Sequence, residues 1–171
     1  RSKLLGAHNA QNIALAAALA FKLGLSKEEI LQGIEKIDYV PHRLQPTAVR
    51  GVTILDDAYN ANVVGAAAAI EVLRSFEGRK LVVTPGLVEL GVLEEKENAE
   101  LGKKLVGLDK VILVGETLVS AVKNGYLAAG GEAEKLVTVP TLEAAQDLLE
   151  GELAEGDTVL FLNDLPDIYL S

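Results

Sequence analysis

Between residues 51 and 162, short apolar runs alternate with helical segments, and this alternation limits the folds open to the chain. The apolar runs are GVTIL (51–55), KLVVT (80–84), KVILVG (110–115), KLVTV (135–139) and DTVLFL (157–162). The intervening segments 65–76, 95–107, 117–130 and 141–153 have the residue spacing of helices. Strands that are apolar on both faces are typical of a parallel sheet covered by helices on both sides. We therefore predict an α/β fold with a mostly parallel sheet whose strands end at one common edge.

A pair of helices is predicted before the sheet. The run 9–23 is rich in alanine and leucine and has helical spacing. Ser26 and Glu29 have the spacing of a capping box, which predicts a second helix over 27–37. Pro41 ends the helical pattern, and two extended segments that meet at a turn near residues 50 and 51 are expected to follow.

The composition excludes several classes of function. The formal net charge of -9 disfavours sequence-independent binding to nucleic acid phosphates. The chain has no cysteine and two histidines, so neither a disulfide framework nor a metal site is expected within it. It lacks the pattern of a signal peptide and any run of about 18 apolar residues, so we expect a cytoplasmic protein without membrane partners. It begins at Arg1 and contains no methionine, which predicts a fragment of a longer protein.

The stretch DDAYNAN (56–62) concentrates hydrogen-bonding side chains directly after the first apolar run. It falls at the carboxyl end of a predicted strand, which is the edge where open α/β sheets bind ligands. Aspartate and asparagine are also good turn formers and helix N-caps, which would explain one or two of these residues. Taken alone, the stretch is compatible with a ligand site and with an ordinary turn.

Three stretches, GAHNAQNIALAAALA (6–20), PHRLQ (41–45) and ILDDAYNAN (54–62), together resemble the Mur ligases of peptidoglycan synthesis. In that family a G-x-H-N-x-x-N helix start, an H/G-R turn and an Asp-containing strand end occur in this order. The Tyr-Asn-Ala-Asn form of the third stretch and the VELG at 88–91 are most similar to members that add D-alanyl-D-alanine. The resemblance covers nearly the whole chain and depends on the order and spacing of these motifs.

The resemblance implies a domain organisation. Mur ligases have a UDP-sugar domain, a central ATPase domain with a phosphate loop, and a C-terminal Rossmann-like domain. The phosphate-loop pattern G-x-x-x-x-G-K-[ST] is absent from this chain. The resemblance thus implies that the chain holds only part of such a ligase. Residues 1–39 resemble the last helices of the central domain, and residues 40–171 resemble the C-terminal domain. The implied partners are the remaining ligase domains of a longer chain, and this chain alone is expected to be inactive.

The resemblance also implies a reaction. In the family, ATP phosphorylates a carboxylate of a UDP-N-acetylmuramoyl peptide, here a tripeptide, and an amine such as D-alanyl-D-alanine attacks the acyl phosphate. Positioning and electrostatics supply most of the catalysis in such a transfer. ATP is thus the implied cofactor, and its Mg²⁺ would be held mainly by the central domain that this sequence lacks.

Four residues are implied to form the main nucleotide contacts. By this resemblance, Asn9 and Asn12 would face the adenine. Carboxamides suit that role because each can donate and accept, and the i, i+3 spacing places both on one helix face. Asn9 has the alternative role of a helix N-cap. Arg43 matches the arginine that meets ribose or phosphate, for which a planar fork of donors is suited, and without the resemblance it would be a surface arginine. Asp57 matches the aspartate near the ribose and the domain hinge, and Arg43 and Asp57 are the implied catalytic residues.

The remaining implied site residues lie in three loops. Tyr59 and Asn60 match further cofactor-side positions, and Asn62 is assigned to the substrate side and is the best candidate to cap the next helix. Glu89 of VELG is assigned to the acceptor side, with an exposed loop carboxylate as its alternative. Asn163 and Asp164 are assigned to the substrate as well.

Two loops depart from the members that add D-alanyl-D-alanine. FLNDLPDIY (161–169) stands where those members carry a Lys-Gly-Ser-Arg turn, and TPGLVELG (84–91) replaces a Gly-Asp-Met-type loop. Two alternatives therefore remain open: a Mur ligase relative with a different amine acceptor, and a non-catalytic α/β module that binds a nucleotide or another protein.

Overall fold

The computed structural model describes residues 2–59 and 62–162. The helices in these ranges are α1 (Ala7–Lys22), α2 (Lys27–Glu35), α3 (Val63–Arg74), α4 (Glu94–Lys104), α5 (Val119–Ala128) and α6 (Leu142–Glu152). The strands are β1 (Gln45–Val49), β2 (Val52–Asp57), β3 (Lys80–Thr84), β4 (Lys110–Val114), β5 (Leu136–Val139) and β6 (Thr158–Leu162). Each predicted helix and strand is present with its ends shifted by a few residues. The capping box at Ser26 and Glu29 is also formed.

The six strands form one sheet in the order β1-β2-β6-β3-β4-β5. Only the pairing of β1 with β2 is antiparallel within this sheet of the described chain, and the other four pairings are parallel. Arg50 and Gly51 connect β1 to β2 with φ values of 50° and 80°. Two consecutive positive φ values match the two-residue hairpin turn that follows the natural twist of the strands. The predicted Rossmann-like, mostly parallel sheet is therefore confirmed.

Helices cover both faces of this sheet, as the apolar runs predict. On one face, α3, α4 and α5 pack on β2, β6, β3 and β4 through residues such as Leu73, Leu101 and Tyr126. On the other face, α6 packs on the sheet through Ala145 and Leu149. No helix in the described ranges combines the length and apolar character needed to cross a bilayer.

Asp157 and Arg79 tie together the edge of the sheet at which the parallel strands begin. The Arg79 guanidinium donates from Nε to Asp157 Oδ1 at 3.0 Å and from Nη2 to Asp157 Oδ2 at 2.5 Å. Asp157 Oδ2 also accepts the Ala154 N–H at 2.8 Å, and the Asp157 side chain is only 4% exposed. The hydrogen bonds from Arg79 hold the pKa of Asp157 below its usual range, against the effect of its burial.

We expect Asp157→Asn to lower the free energy of unfolding by about 2–4 kcal/mol at pH 7, because it removes the charge of a buried carboxylate that accepts two hydrogen bonds from the half-exposed Arg79 guanidinium. A carboxylate with a lowered pKa in the folded state stabilises above its unfolded pKa, and this contribution is lost as the pH falls through the folded value. The difference between the two proteins should therefore be constant above about pH 5 and shrink below about pH 4. Urea unfolding followed by circular dichroism across this range measures it.

Asp109→Asn is the matched control for this prediction. Asp109 is an exposed carboxylate at the same edge of the sheet and accepts the Lys80 N–H at 2.9 Å. Its replacement should change the unfolding free energy by less than about 1 kcal/mol. Equal losses in the two variants would contradict the role given to the Asp157 pair.

Candidate functional site

A cavity of about 300 Å³ opens where β2 ends and where α1 and α3 begin. Its polar wall residues come from four separate segments: His8 and Asn9, Arg43, Asp57, and Asn62. The apolar part of the wall includes Leu4, Val40, Leu44 and Ala69. The fold therefore brings four of the predicted site residues, namely Asn9, Arg43, Asp57 and Asn62, around one concave surface.

The two carboxylates of DDAYNAN hold the segment 41–44 against the end of β2. Asp57 Oδ1 accepts the backbone N–H of Leu44 at 3.0 Å. Asp56 Oδ2 lies 2.8 Å from Nδ1 of His42 and forms an ion pair whenever that ring is protonated. The backbone N–H of Tyr59 donates to His42 O at 3.3 Å. The hydrogen-bonding groups at the end of this strand thus fix a second segment of chain, which an ordinary turn would not require.

Arg43 lies between His42 and Leu44, the two residues that Asp56 and Asp57 hold, and its side chain contacts an aromatic ring. Its guanidinium carbon is 4.4 Å from the centre of the Tyr59 ring, a cation–π arrangement. Arg43 is exposed, and within 2–59 and 62–162 no carboxylate forms an ion pair with it. With respect to the described residues, its donors are therefore available to a ligand in the cavity.

Asp57 is a partly buried carboxylate of the cavity wall. Partial burial raises the pKa of Asp57, whereas the Leu44 N–H and the charges of Arg43 and His8 lower it, and Asp56 raises it slightly further. Burial therefore destabilises the ionised form. A ligand that donates a hydrogen bond to this carboxylate would replace part of the hydration that it lost.

The start of α1 forms the opposite wall of the cavity. Gly6, with a φ of 90°, precedes the helix without a side-chain cap. Asn9 Nδ2 donates to Leu5 O at 2.8 Å, so Asn9 is not the N-cap that the sequence left as an alternative. The His8 ring packs over Gly6, where an added Cβ would come within 2.6 Å of it, and His8 Nδ1 is buried without a hydrogen-bond partner in the described chain.

The other predicted site residues are placed differently. Asn12 is exposed on α1 and is not part of the cavity wall. Tyr59 lies beside the cavity on Arg43. Asn62 caps α3 by accepting the Gly65 N–H at 2.8 Å, which confirms the predicted cap. Asn60, Asn163 and Asp164 lie outside the described residues.

Glu89 lies apart from the cavity, in the loop that follows β3. It is exposed, has a φ of 61°, and does not line the cavity at the end of β2. Asn98 of α4 fixes this loop: its Oδ1 accepts the Leu87 N–H at 2.7 Å and its Nδ2 donates to Leu87 O at 2.9 Å. Asn98 is fully buried, so the loop that carries Glu89 is held from beneath by a rigid helix.

Sequence reasoning did not assign a role to His8, His42, Asp56 or Asn98. His8 and His42 each precede a predicted site residue, and Asp56 precedes Asp57, so adjacency was the available signal. Asn98 offered none, because its contact depends on how α4 packs under the loop. In the described ranges, no three acidic, histidine or cysteine side chains are grouped closely enough to hold a metal ion.

Comparison with known families identifies a match to most of the α/β part of the chain. The profile of the family described as Mur ligase, glutamate ligase domain, matches residues 42–163. The matched region begins after the α1–α2 pair and contains the whole sheet.

Curated proteins named UDP-N-acetylmuramoyl-tripeptide--D-alanyl-D-alanine ligase are similar to this chain. The chain is 32% identical over 161 residues to the protein of Haemophilus influenzae, an alignment that covers 92% of this chain and 34% of the relative. It is 30% identical over 166 residues to the Bacillus subtilis protein, covering 92% of this chain and 35% of the relative. The chain thus spans about a third of the length of these relatives.

Two solved structures are similar over nearly the whole chain. The crystal structure of MurF from Acinetobacter baumannii matches with a TM-score of 0.80 and 31% identity, covering 96% of this chain and 36% of that one. The MurF ligase of Thermotoga maritima in complex with ADP matches with a TM-score of 0.81 and 25% identity, covering 97% and 36%.

Proposed function

Because this chain belongs to the Mur ligase family, we propose that it forms the C-terminal domain of an ATP-dependent ligase that joins D-alanyl-D-alanine to a UDP-N-acetylmuramoyl tripeptide. The names of the relatives and the 92% coverage of this chain by their alignments support this reaction. The ADP in the similar Thermotoga maritima structure supports a nucleotide as its cofactor.

The observation that carries the proposal is the convergence of predicted residues on one cavity. Asn9, Arg43 and Asp57 are separated by up to 48 residues in sequence, yet all three line it. Ligand sites of open α/β sheets lie at this carboxyl edge and combine a concave surface with a few convergent polar groups, which this cavity does.

The side chains of this cavity suit the parts of a nucleotide. Asn9 uses one N–H on Leu5 O, and its carboxamide keeps a second donor and an acceptor for an adenine edge. Asp57 can accept hydrogen bonds from ribose hydroxyls, which would stabilise its ionised form. Arg43 presents a planar set of donors to phosphate oxygens, and the stacked Tyr59 ring limits how far the guanidinium moves.

ATP, when bound, would supply the phosphoryl group that activates the tripeptide carboxylate. The role of Arg43 in that reaction is to neutralise phosphate charge and orient it, and the role of Asp57 is to hold the ribose and the segment 41–44 together. Both contributions are positional and electrostatic, and such terms account for most of the catalysis in phosphoryl transfer.

We also propose that residues 1–39 are the last helices of the central ATPase domain and that residues 40–171 form the C-terminal domain. The matched family region begins at residue 42, close to this boundary. Neither α1 nor α2 has a buried residue. Leucines of α1 and the turn after it, Leu15, Leu19 and Leu23, are 72%, 61% and 73% exposed, a surface that further parts of the central domain would cover.

The amine acceptor is proposed to contact the loop after β3, through Glu89, and the residues that follow β6 in the sequence, through Asn163 and Asp164. These are the two stretches in which the sequence departs from D-alanyl-D-alanine-adding members. A ligase with another amine acceptor is therefore the second candidate, and the sequences of 84–91 and 163–167 favour testing it.

We expect the complete ligase to release phosphate from ATP only when a UDP-N-acetylmuramoyl tripeptide and D-alanyl-D-alanine are both present. The measurement uses a panel that adds D-alanine and single L-amino acids, with the reaction lacking any amine as its control. The isolated 171-residue chain should release none, because it lacks the phosphate loop. Turnover with a different amine would keep the family reaction and replace the acceptor, whereas absence of turnover with every amine would refute the proposed enzyme.

A further inference from the structure

The segment 41–44, which we call the Arg43 turn, has an unusual backbone. His42 has a φ of 60° and Leu44 a φ of 51°, so both residues that flank Arg43 are in the left-handed region. This region is unfavourable for residues other than glycine and persists only where surrounding contacts hold it. Arg43 therefore projects from a turn that the local sequence alone would not stabilise.

Both flanking residues are held by the end of β2. Leu44 is 4% exposed, and its N–H donates to Asp57. His42 is joined twice, by its ring to Asp56 Oδ2 at 2.8 Å and by its carbonyl to the Tyr59 N–H at 3.3 Å. Asp56 is itself fixed, because its Oδ1 accepts the Ala58 N–H at 3.2 Å.

The pair formed by His42 and Asp56 has no contact with the interior of the cavity. Neither residue lines it, and His42 is exposed. Their hydrogen bond instead connects residues 14 positions apart in the sequence. It joins the Arg43 turn to β2 at His42, the residue before Arg43. A contact of this kind sets the direction of a neighbouring side chain without touching the ligand.

We propose that His42 and Asp56 are positioning residues that hold the Arg43 turn in its left-handed conformation and so direct the Arg43 guanidinium into the cavity. The proposal rests on the nucleotide role given above to that cavity. Asp57 and Asp56 then have separate tasks: Asp57 holds Leu44 and faces the ligand, and Asp56 holds His42 on the side away from it.

Four variants of the complete ligase test this proposal. Asp56→Ala removes the link, and Asp56→Asn keeps a carboxamide that can still form hydrogen bonds with the His42 ring and the Ala58 N–H. His42→Ala removes the link at a residue that must adopt a positive φ, and His42→Gly removes the same link but adopts that φ without strain. Asp109→Ala is the control, since Asp109 is exposed at the edge where the parallel strands begin, opposite the edge that carries the cavity.

We expect Asp56→Ala and His42→Ala to raise the KM for ATP about tenfold, the scale of one lost hydrogen bond to a charged group. The KM for the amine and the midpoint of thermal unfolding should change little. Asp56→Asn should retain most of the ATP affinity, and His42→Gly should fall between the wild type and His42→Ala. A KM for ATP in His42→Gly as high as in His42→Ala would overturn the proposal, because the link would then not act through the backbone conformation.

The hydrogen-exchange rate of the Leu44 amide reports how firmly the Arg43 turn is held, and it can be measured without an activity assay. It should become faster in Asp56→Ala and His42→Ala and stay unchanged in Asp109→Ala. Unchanged exchange in Asp56→Ala would refute the positioning role even in an active enzyme. Faster exchange in Asp56→Ala, combined with no ATP turnover by the wild type, would instead support the positioning pair and refute the proposed reaction.

Discussion

Gly125→Ala is expected to lower the free energy of unfolding by about 3 kcal/mol, because it inserts a methyl group between two helices that touch through their backbones. Gly125 of α5 faces the backbone of Ala99 in α4, and an added Cβ would fall well inside the van der Waals distance of Ala99 O. Gly102 of α4 meets the backbone of Val122 in the same way. The two glycines thus form a reciprocal contact, and neither helix can relieve the clash by rotating a side chain.

Gly151→Ala is the matched control for Gly125→Ala. Gly151 lies within α6, and an added Cβ there would meet no atom within 4 Å. Alanine has the higher helix propensity, so this substitution should be neutral or stabilise the protein by up to about 1 kcal/mol. Urea unfolding of both variants gives the comparison. A loss of stability in Gly151→Ala equal to that in Gly125→Ala would show that glycine is needed in these helices for a reason other than space.

The sequence predicted the helices and strands because their signals are local. Each buried strand is a short apolar run, and glycine, proline or a capping residue marks many of the ends. The position of β6 between β2 and β3 was not predicted. Strand order depends on which distant runs pair, and all five parallel strands are apolar on both faces, so their composition does not distinguish neighbours.

The residues of the candidate site that belong to local motifs were predicted, whereas contacts between distant segments were not. Asn9, Arg43 and Asp57 were found because they belong to ordered motifs, and the fold brings them to one cavity. The pairing of His42 with Asp56 depends on two left-handed residues, which no pattern in PHRL indicates. The glycine contact between α4 and α5 likewise requires knowledge of which helices pack together.

Arg43→Ala in the complete ligase is expected to reduce kcat/KM for ATP about 100-fold, the scale of losing a charge-assisted contact to phosphate in a catalytic site. Arg43→Lys restores the charge without the planar fork and should recover only part of the activity. Arg50→Ala is the control, because Arg50 is an exposed arginine in the hairpin turn at the other end of β2. Steady-state kinetics with varied ATP, together with thermal unfolding of each variant, measures the effect.

The loss in Arg43→Ala should also depend on pH. The charge of Arg43 lowers the pKa of Asp57, while burial raises it. Without the guanidinium the pKa of Asp57 rises further, so at lower pH a larger fraction of Asp57 is protonated and cannot accept hydrogen bonds from a ribose. The deficit of Arg43→Ala relative to the wild type should therefore grow as the pH is lowered. A deficit below about threefold at every pH would mean that the cavity does not bind the nucleotide, since a guanidinium in contact with phosphate contributes far more than that.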